Sequence, residues 1–138
     1  MKIENYTLSI ETRRSFEFVD ITDRIQGLIK ESRISRGFTL VRSRHTTGAI
    51  ACTEADSSIH NDANNLLDCL MPVDFSYEHS YEGRINGRAH QAEMLGFGCT
   101  TWAPVCNGRI ELGTWQRIFF VELYQPMVRN IDVVIVGE

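Results

Sequence analysis

The strongest constraint on the fold is the C-terminal part of the chain, where short apolar segments of strand length are separated by turn residues. These segments are Phe97–Val105, Arg109–Leu112, Trp115–Tyr124 and Arg129–Val136. Asn107-Gly108 is the strongest turn signal in the sequence, because both residues tolerate the positive φ of a type I′ hairpin. The run from Ile118 to Val121 is apolar on both strand faces, which indicates packed sheet layers or a subunit interface.

The N-terminal part also begins with β structure. Tyr6, Leu8 and Ile10 alternate with polar residues, as in a half-buried strand, and Ser15–Val19 is predicted as the hairpin partner of that strand. A helix follows, capped by Thr22, with Asp23 in its first turn, and it ends before Gly37. Its apolar face is formed by Ile25, Leu28 and Ile29.

The middle of the chain contains two strands and two helices. Phe38–Val41 and Gly48–Thr53 are predicted strands. A second helix, capped by Asp56, Ser57 or Ser58, has the clearest helical period, and it ends at Pro72. Asp74–Arg88 is predicted as a loop, and a short helix from Arg88 to Leu95 is ended by Gly96. Strands outnumber helices, and helices interrupt them only early, so α+β is preferred to a doubly wound α/β fold.

Length, charge and composition limit the classes of function that the chain is expected to have. The 138 residues fit one domain spanning 1–138, and the formal net charge of -4 argues against nonspecific nucleic-acid binding. No apolar stretch reaches membrane-spanning length and no signal peptide is visible, so a cytoplasmic location is expected. In that reducing compartment the four cysteines are predicted to be buried thiols, with a catalytic cysteine as the less common alternative. They are Cys52, Cys69, Cys99 and Cys106.

Three of the four histidines are candidate site residues. His45 follows a strand and precedes two hydroxyl side chains, His79 lies in the predicted loop, and His90 lies near the predicted start of the short helix. At the positive end of that helix a neutral imidazole is favoured. Taken singly, each ring fits a structural or solvent-exposed role equally well. His60 falls on the polar side of the second helix and is predicted to be solvated.

Together His45, His79 and His90 could surround Zn²⁺ and leave one position open for water or substrate. No HxH or HExxH spacing supports this, so the site depends on the three rings converging in the fold. Several arginines lie near the same segments, and guanidinium groups beside a helix N-terminus would favour a phosphate ligand. These arginines are Arg42, Arg44, Arg84, Arg88 and Arg117.

In order and spacing, a series of short motifs resembles the YjbQ-like family, also labelled secondary thiamine-phosphate synthase. The match covers nearly the full chain. The motifs are His45-Thr46-Thr47 leading to Thr53-Glu54-Ala55, Tyr77-Glu78-His79 with Glu82-Gly83, Asn86 four residues before His90, Met94-Leu95-Gly96, Asn107-Gly108-Arg109-Ile110 and Gly113-Thr114-Trp115-Gln116.

The resemblance implies an α+β sandwich of two packed sheets with two main helices and one short helix, assembled as a homotrimer, with the histidines in a cleft near subunit contacts. It also implies thiamine-phosphate synthase activity, in which a pyrimidine methyl pyrophosphate is joined to a thiazole phosphate. His45, His79 and His90 would be metal ligands or acid/base groups, with zinc as the expected ion and magnesium as the alternative, and Glu82 would handle protons. The expected substrate contacts are Thr46, Thr47, Asn86, Arg88, Trp115 and Gln116, with Tyr77 or Tyr81 stacking on a heterocycle.

Two alternatives remain open at this point. A metal-bound water could hydrolyse a small phosphoester or amide, or the chain could be a trimeric protein that binds a metabolite or metal without turnover. The sequence also departs from the family at Gly87-Arg88, where many relatives have an acidic or small residue, and at Arg117, where they have glycine. The added positive charge is expected to alter the site.

Overall fold

The computed structural model describes residues 1–138 as eight strands and three α-helices. In chain order these are β1 (Lys2–Glu11), β2 (Glu17–Asp20), α1 (Thr22–Ser32), β3 (Arg36–Ser43), β4 (Gly48–Glu54), α2 (Ser57–Leu70), α3 (Arg84–Gln91) with a π-helical continuation (Ala92–Phe97), β5 (Thr100–Cys106), β6 (Arg109–Ile110), β7 (Gln116–Glu122) and β8 (Val128–Gly137). The strands form a five-stranded sheet, β1-β8-β3-β5-β6, and a three-stranded sheet, β2-β7-β4. The predicted α+β class with two sheets is confirmed.

Strand pairing is antiparallel throughout. The β5–β6 hairpin turns at Asn107 and Gly108, whose φ values are 52° and 70°, as the turn signal predicted. The hairpin predicted between the first two strands is wrong, because β1 pairs with β8 and β2 pairs with β7. Phe16 and Phe18 pack on Phe97, with ring centroids 6.2 and 6.0 Å away, and this aromatic contact holds β2 in the second sheet.

The three-stranded sheet is covered on both faces, which explains why Ile118–Val121 is apolar throughout. Ile118 and Phe120 belong to the main core, together with Ile25 and Ile29 on the predicted apolar face of α1. Phe119 and Val121 point the other way, into a second cluster that includes Ala89 of α3 and Leu67 of α2. Each fully buried side chain of this size stabilises the fold by roughly 1.5–3 kcal/mol.

The five-stranded sheet has one face that no other element covers. The strand register places Leu40 beside Val134 and Trp102, and Phe38 beside Val136 and Pro104. Ile3 extends the second row on β1, opposite Val136. We call this surface the outer sheet face, defined by Ile3, Phe38, Leu40, Trp102, Pro104, Val134 and Val136. Trp102 is 68% exposed there, so a large apolar area faces solvent in the single chain.

The helix caps were predicted with mixed success. Asp56 caps α2, and its carboxylate accepts from the Ser58 N–H at 2.8 Å. Thr22 does not cap α1; its hydroxyl accepts instead from the N–H of Ile118 at 2.8 Å. None of the residues of α2 is fully buried, so this helix is held less firmly than α1.

The prediction of four buried thiols is wrong. Cys52, Cys69 and Cys106 are exposed and Cys99 is half-buried, because each lies on an outward-facing position or at an element end. All four are free. No helix in the structure is both long and apolar enough to cross a membrane.

Candidate functional site

Two of the predicted site histidines form a pair. The rings of His79 and His90 lie edge to face, with centroids 4.7 Å apart and planes at 85°. His79 comes from the connection between α2 and α3, whereas His90 lies in the last turn of α3. The expectation that His90 would sit at a positive helix end is wrong, because α3 begins at Arg84 rather than at Arg88.

The loop that carries His79 rests directly on α3 at Gly87. A Cβ at this position would lie 2.4 Å from the His79 carbonyl oxygen and 3.0 Å from the Tyr77 Cβ. Only a residue without a side chain allows this approach. Tyr77 fixes the loop at its other side, since its hydroxyl donates to the Pro72 carbonyl at 2.9 Å.

A cleft of about 540 Å³ opens beside the pair. Aromatic side chains dominate its wall, and Tyr81 packs edge to face on His79 with centroids 4.9 Å apart. We call it the histidine cleft; it is lined by Phe75, Ser76, Tyr77, Glu78, His79, Tyr81, Gly87 and Gln91. It continues into a smaller apolar groove that shares Phe75, Tyr77 and Gln91. Its volume is within the range of small-molecule sites.

A polar pair lies at the start of α3, with Asn86 in the first turn of the helix and Glu82 just before it. The Asn86 amide donates to the Glu82 carboxylate at 3.0 Å, and Asn86 is only 3% exposed. Its Oδ1 is buried and has no partner in the chain. An unpaired buried acceptor is costly, so this oxygen is suited to a donor supplied by a water or a ligand.

His45 occupies a different place, at the end of β3. Its Nε2 lies 3.1 Å from both the backbone nitrogen and the carbonyl oxygen of Asn130, so it accepts from the N–H in one neutral tautomer and donates to the carbonyl in the other. Partial burial lowers the pKa of His45, and the nearby Arg129 guanidinium lowers this pKa further. The protonated ring can only donate at this nitrogen, to the Asn130 carbonyl oxygen.

A buried ion pair lies beneath His45, and the sequence reading did not identify it. Arg129 and Glu122 are 3% and 0% exposed, and the Arg129 Nε donates to Glu122 at 2.8 Å. Thr12 also donates to the Glu122 carboxylate, at 2.9 Å. Thr47, expected to touch substrate, faces inward, and its hydroxyl accepts from Arg129 at 3.1 Å. Thr46 is exposed.

We expect His45 to titrate below its ordinary pKa of 6.5. A histidine whose pKa is lowered by folding binds fewer protons than the unfolded chain does, so stability rises with pH up to about 6.5 and falls at lower pH. An NMR titration of the ring Cε1–H measures the pKa, and unfolding curves between about pH 5 and 7 measure the slope. His45→Gln should flatten that slope. A measured pKa of 6.5 or higher for His45 would contradict the expected lowering.

The structure does not bring the three predicted histidines together in one chain. No group of three or more His, Cys, Asp or Glu side chains is arranged to hold a metal ion. His79 and His90 meet, but the ring of His45 is bonded to β8 instead. The strand order causes this separation, because β3 belongs to the five-stranded sheet while α3 packs on the three-stranded one.

The remaining expected substrate contacts are also dispersed. Trp115 is 71% exposed in the turn just before β7, and the Gln116 side chain accepts from the Gly113 N–H at 2.8 Å. Neither residue lines the histidine cleft. Arg88 pairs with Asp68 at 2.7 Å, and Arg117 pairs with Asp20 at 2.7 Å.

His60 is not solvated as predicted. Its ring stacks on Phe18 with centroids 4.0 Å apart, and its Nε2 lies 2.9 Å from the Glu54 carbonyl oxygen. The polar side of α2 therefore faces β2 at this position, and the histidine joins two elements. Its role is structural.

Comparison with known proteins places the chain in a family. A family model described as UPF0047 protein YjbQ-like matches residues 6–138. The chain belongs to the YjbQ-like family. A UPF0047 protein of Methanothermobacter thermautotrophicus is 38% identical over 138 residues, which is all of this chain and 95% of that protein. The UPF0047 protein YugU of Bacillus subtilis is 33% identical and covers 95% of the chain, with 98% of YugU matched.

Solved structures of the YjbQ-like family show the same fold. A YbjQ-like protein of unknown function from Sulfolobus solfataricus P2 superposes with a TM-score of 0.93 at 33% identity, covering 99% of both chains. The hypothetical protein APE1520 from Aeropyrum pernix K1 gives a TM-score of 0.90 at 29% identity, covering 98% of this chain and 99% of that one. These likenesses establish the YjbQ-like fold, and the names of the relatives assign no activity.

Proposed function

We propose that this YjbQ-like protein is a transferase that joins a pyrimidine methyl pyrophosphate to a thiazole phosphate. The observation that carries the proposal is the histidine cleft, where the imidazole of His79, paired with that of His90, lies beside three aromatic side chains. Flat heterocycles stack on aromatic faces, and Phe75, Tyr77 and Tyr81 offer such faces around one cavity. The resemblance in sequence supplies the reaction class, and the cleft supplies groups that suit it.

In this reaction the thiazole nitrogen attacks the methylene carbon of the pyrimidine. A C–N bond forms, the C–O bond to pyrophosphate breaks, and pyrophosphate leaves with the electron pair. The aromatic walls would hold the two rings in line, which lowers the entropic part of the barrier. His79 or His90, in its protonated form, would donate a proton to the departing oxygen. The buried Asn86 Oδ1, which lacks a partner, would accept a hydrogen bond from a bound water.

The chain is also proposed to act as a homotrimer, with the outer sheet face in the subunit contact. Association would remove the large exposed apolar area around Trp102 from water. His45 lies at one end of this face, since its ring bonds to Asn130 of β8. Arg42 and Arg44 share the single carboxylate of Asp132, so this end carries one surplus positive charge. We propose that a neighbouring subunit brings its His45 and this charge to the histidine cleft.

Leu40→Glu is expected to convert the assembly to monomers. Leu40 lies between Val134 and Trp102 in the sheet, so a carboxylate there would be buried without a partner in the subunit contact. Sedimentation velocity measures the molecular mass of both proteins. Lys30→Glu is the matched control, because Lys30 is exposed on α1 and lies off the outer sheet face. A parent protein that sediments as a monomer would contradict the proposed trimer.

A zinc site does not fit within one chain, since only two imidazoles meet and zinc needs at least three protein ligands. If zinc binds, the third ligand must come from another subunit, and His45 is the candidate. Imidazole ligands favour zinc over magnesium, which prefers oxygen. Elemental analysis of the parent and Leu40→Glu proteins tests this idea: zinc in the parent and none in the monomer supports it, and zinc in neither contradicts it.

Pyrophosphate release is expected only when both substrates are present. Replacing His79 or His90 by Gln should lower kcat by about 100-fold or more, as removal of a positioned acid/base group does. His60→Gln is the control, because His60 stacks on Phe18 outside the cleft. Release of phosphate from one substrate alone would indicate a hydrolase instead. Tight binding of either substrate without turnover would indicate a binding protein, and both results would overturn the proposal.

A further inference from the structure

A second cavity lies on the opposite side of α3 from the histidine cleft. It encloses about 430 Å³ between α2, α3 and the connection from β1 to β2. On α3 its lining residues are Ile85, Arg88, Ala89 and Ala92, which recur at helical spacing and form one stripe. Gly87 and Gln91 lie on the other side of the same helix and line the histidine cleft. We call the second space the arginine cavity.

Arg88 supplies the main polar group of the arginine cavity. Its side chain is only 12% exposed, and its Nη1 lies 2.7 Å from the Asp68 carboxylate. That contact engages one nitrogen, and no hydrogen bond joins the rest of the guanidinium to a protein acceptor. Five N–H groups in a fixed plane can bind a carboxylate in two-pronged fashion while one edge stays on Asp68.

The rest of the cavity wall indicates the net charge and the apolar part of the ligand. Phe16, Leu67, Val73 and Ile85 contribute apolar surface to the cavity. Arg14 is exposed and also lines the cavity, and no carboxylate pairs with its guanidinium. Two arginines and one aspartate leave one positive charge around a space whose walls are about half apolar. Such a site suits a ligand with one negative charge and an apolar body.

We propose that the arginine cavity binds a small amphipathic monoanion, with its acidic group on Arg88 and its apolar part against Phe16, Leu67 and Ile85. A carboxylate with a short alkyl chain or a single ring has the required charge and size. The site is separate from the histidine cleft and does not depend on the proposed transferase activity. It depends on the arginine at position 88.

Isothermal titration of the full chain with octanoate tests the proposal, with octanol and octylamine as probes of equal length and different charge. Octanoate should bind at least about tenfold more tightly than octanol, because the charge-assisted bonds to Arg88 are lost with the alcohol. Octylamine should bind less tightly still. Arg88→Met should weaken octanoate by a similar factor, and it leaves Asp68 solvated because that side chain is 56% exposed.

Three further variants keep the outcome interpretable. Arg84→Met removes an exposed charge from the same helix outside the cavity and should leave octanoate binding unchanged. Asn64→Phe fills the cavity from α2 and should abolish binding while the circular dichroism spectrum is retained. His79→Ala should still bind octanoate, which separates this site from the transferase proposal. Equal binding of octanoate and octanol, no binding at millimolar concentration, or binding unaffected by Arg88→Met or Asn64→Phe would overturn the inference.

Discussion

Glu122→Ala is expected to lower the free energy of unfolding by about 3–5 kcal/mol, because it leaves the Arg129 guanidinium buried without its counter-charge. Arg129 is 3% exposed and Glu122 is inaccessible. The same carboxylate accepts from the Tyr124 N–H at 3.0 Å, so this donor would also lose its acceptor, whereas the Thr12 hydroxyl could still donate to the Met127 carbonyl at 3.0 Å. Urea-induced unfolding of the parent and the variant measures the difference.

Two further variants show whether burial causes the effect. Asp20→Asn weakens the partly exposed pair with Arg117 and should cost at most about 1 kcal/mol. The double variant Glu122→Leu with Arg129→Met replaces the buried pair by apolar side chains and should recover much of the loss. A loss below about 1 kcal/mol for Glu122→Ala would show that water reaches Arg129 and would contradict the buried pair.

Gly37→Ala is expected to destabilise the fold by about 3 kcal/mol or more, since the new methyl group would meet backbone that cannot move aside. An added Cβ would lie 1.9 Å from the Val136 carbonyl oxygen and 2.7 Å from the Gly137 Cα. Those atoms belong to β8, which pairs with β3 in the middle of the five-stranded sheet. Thermal and urea unfolding measure the loss.

The matched control for Gly37→Ala is expected to change stability in the opposite direction. Gly27 lies inside α1, and a Cβ there would meet nothing within 4 Å. Gly27→Ala should therefore stabilise the protein by roughly 0.5–1 kcal/mol through helix propensity. Equal effects at the two positions would show that strand pairing at Gly37 is looser than the structure indicates.

Element types could be predicted from the sequence because local patterns determine them. The period of α1, the Asp56 cap and the Asn107-Gly108 turn each involve residues that are close in the chain. Strand partners depend on distant contacts, and alternation fixes only which way a side chain faces. The false pairing of Ser15–Val19 with the first strand arose in this way, because the aromatic contacts of Phe16 and Phe18 with Phe97 are not visible locally.

The candidate site was predictable only in part. The tyrosine-rich loop and the short helix pointed to His79 and His90, and the structure pairs them. The Glu122–Arg129 pair could have been predicted from two signals. Glu122 interrupts an apolar strand, and Arg129 alternates with Ile131 and Val133 on the strand face that points into the core. The separation of His45 from the other two rings could not be predicted from the sequence, because it depends on which sheet each segment joins.

The position of β8 has a consequence for how the protein is made. It lies between β1 and β3 and provides the hydrogen-bond partners for both. During synthesis the N-terminal strand leaves the ribosome early and stays without its partner until residues 128–137 emerge. The larger sheet is therefore completed only after translation of that segment, and the free edges of β1 and β3 must be kept from other nascent chains during this interval.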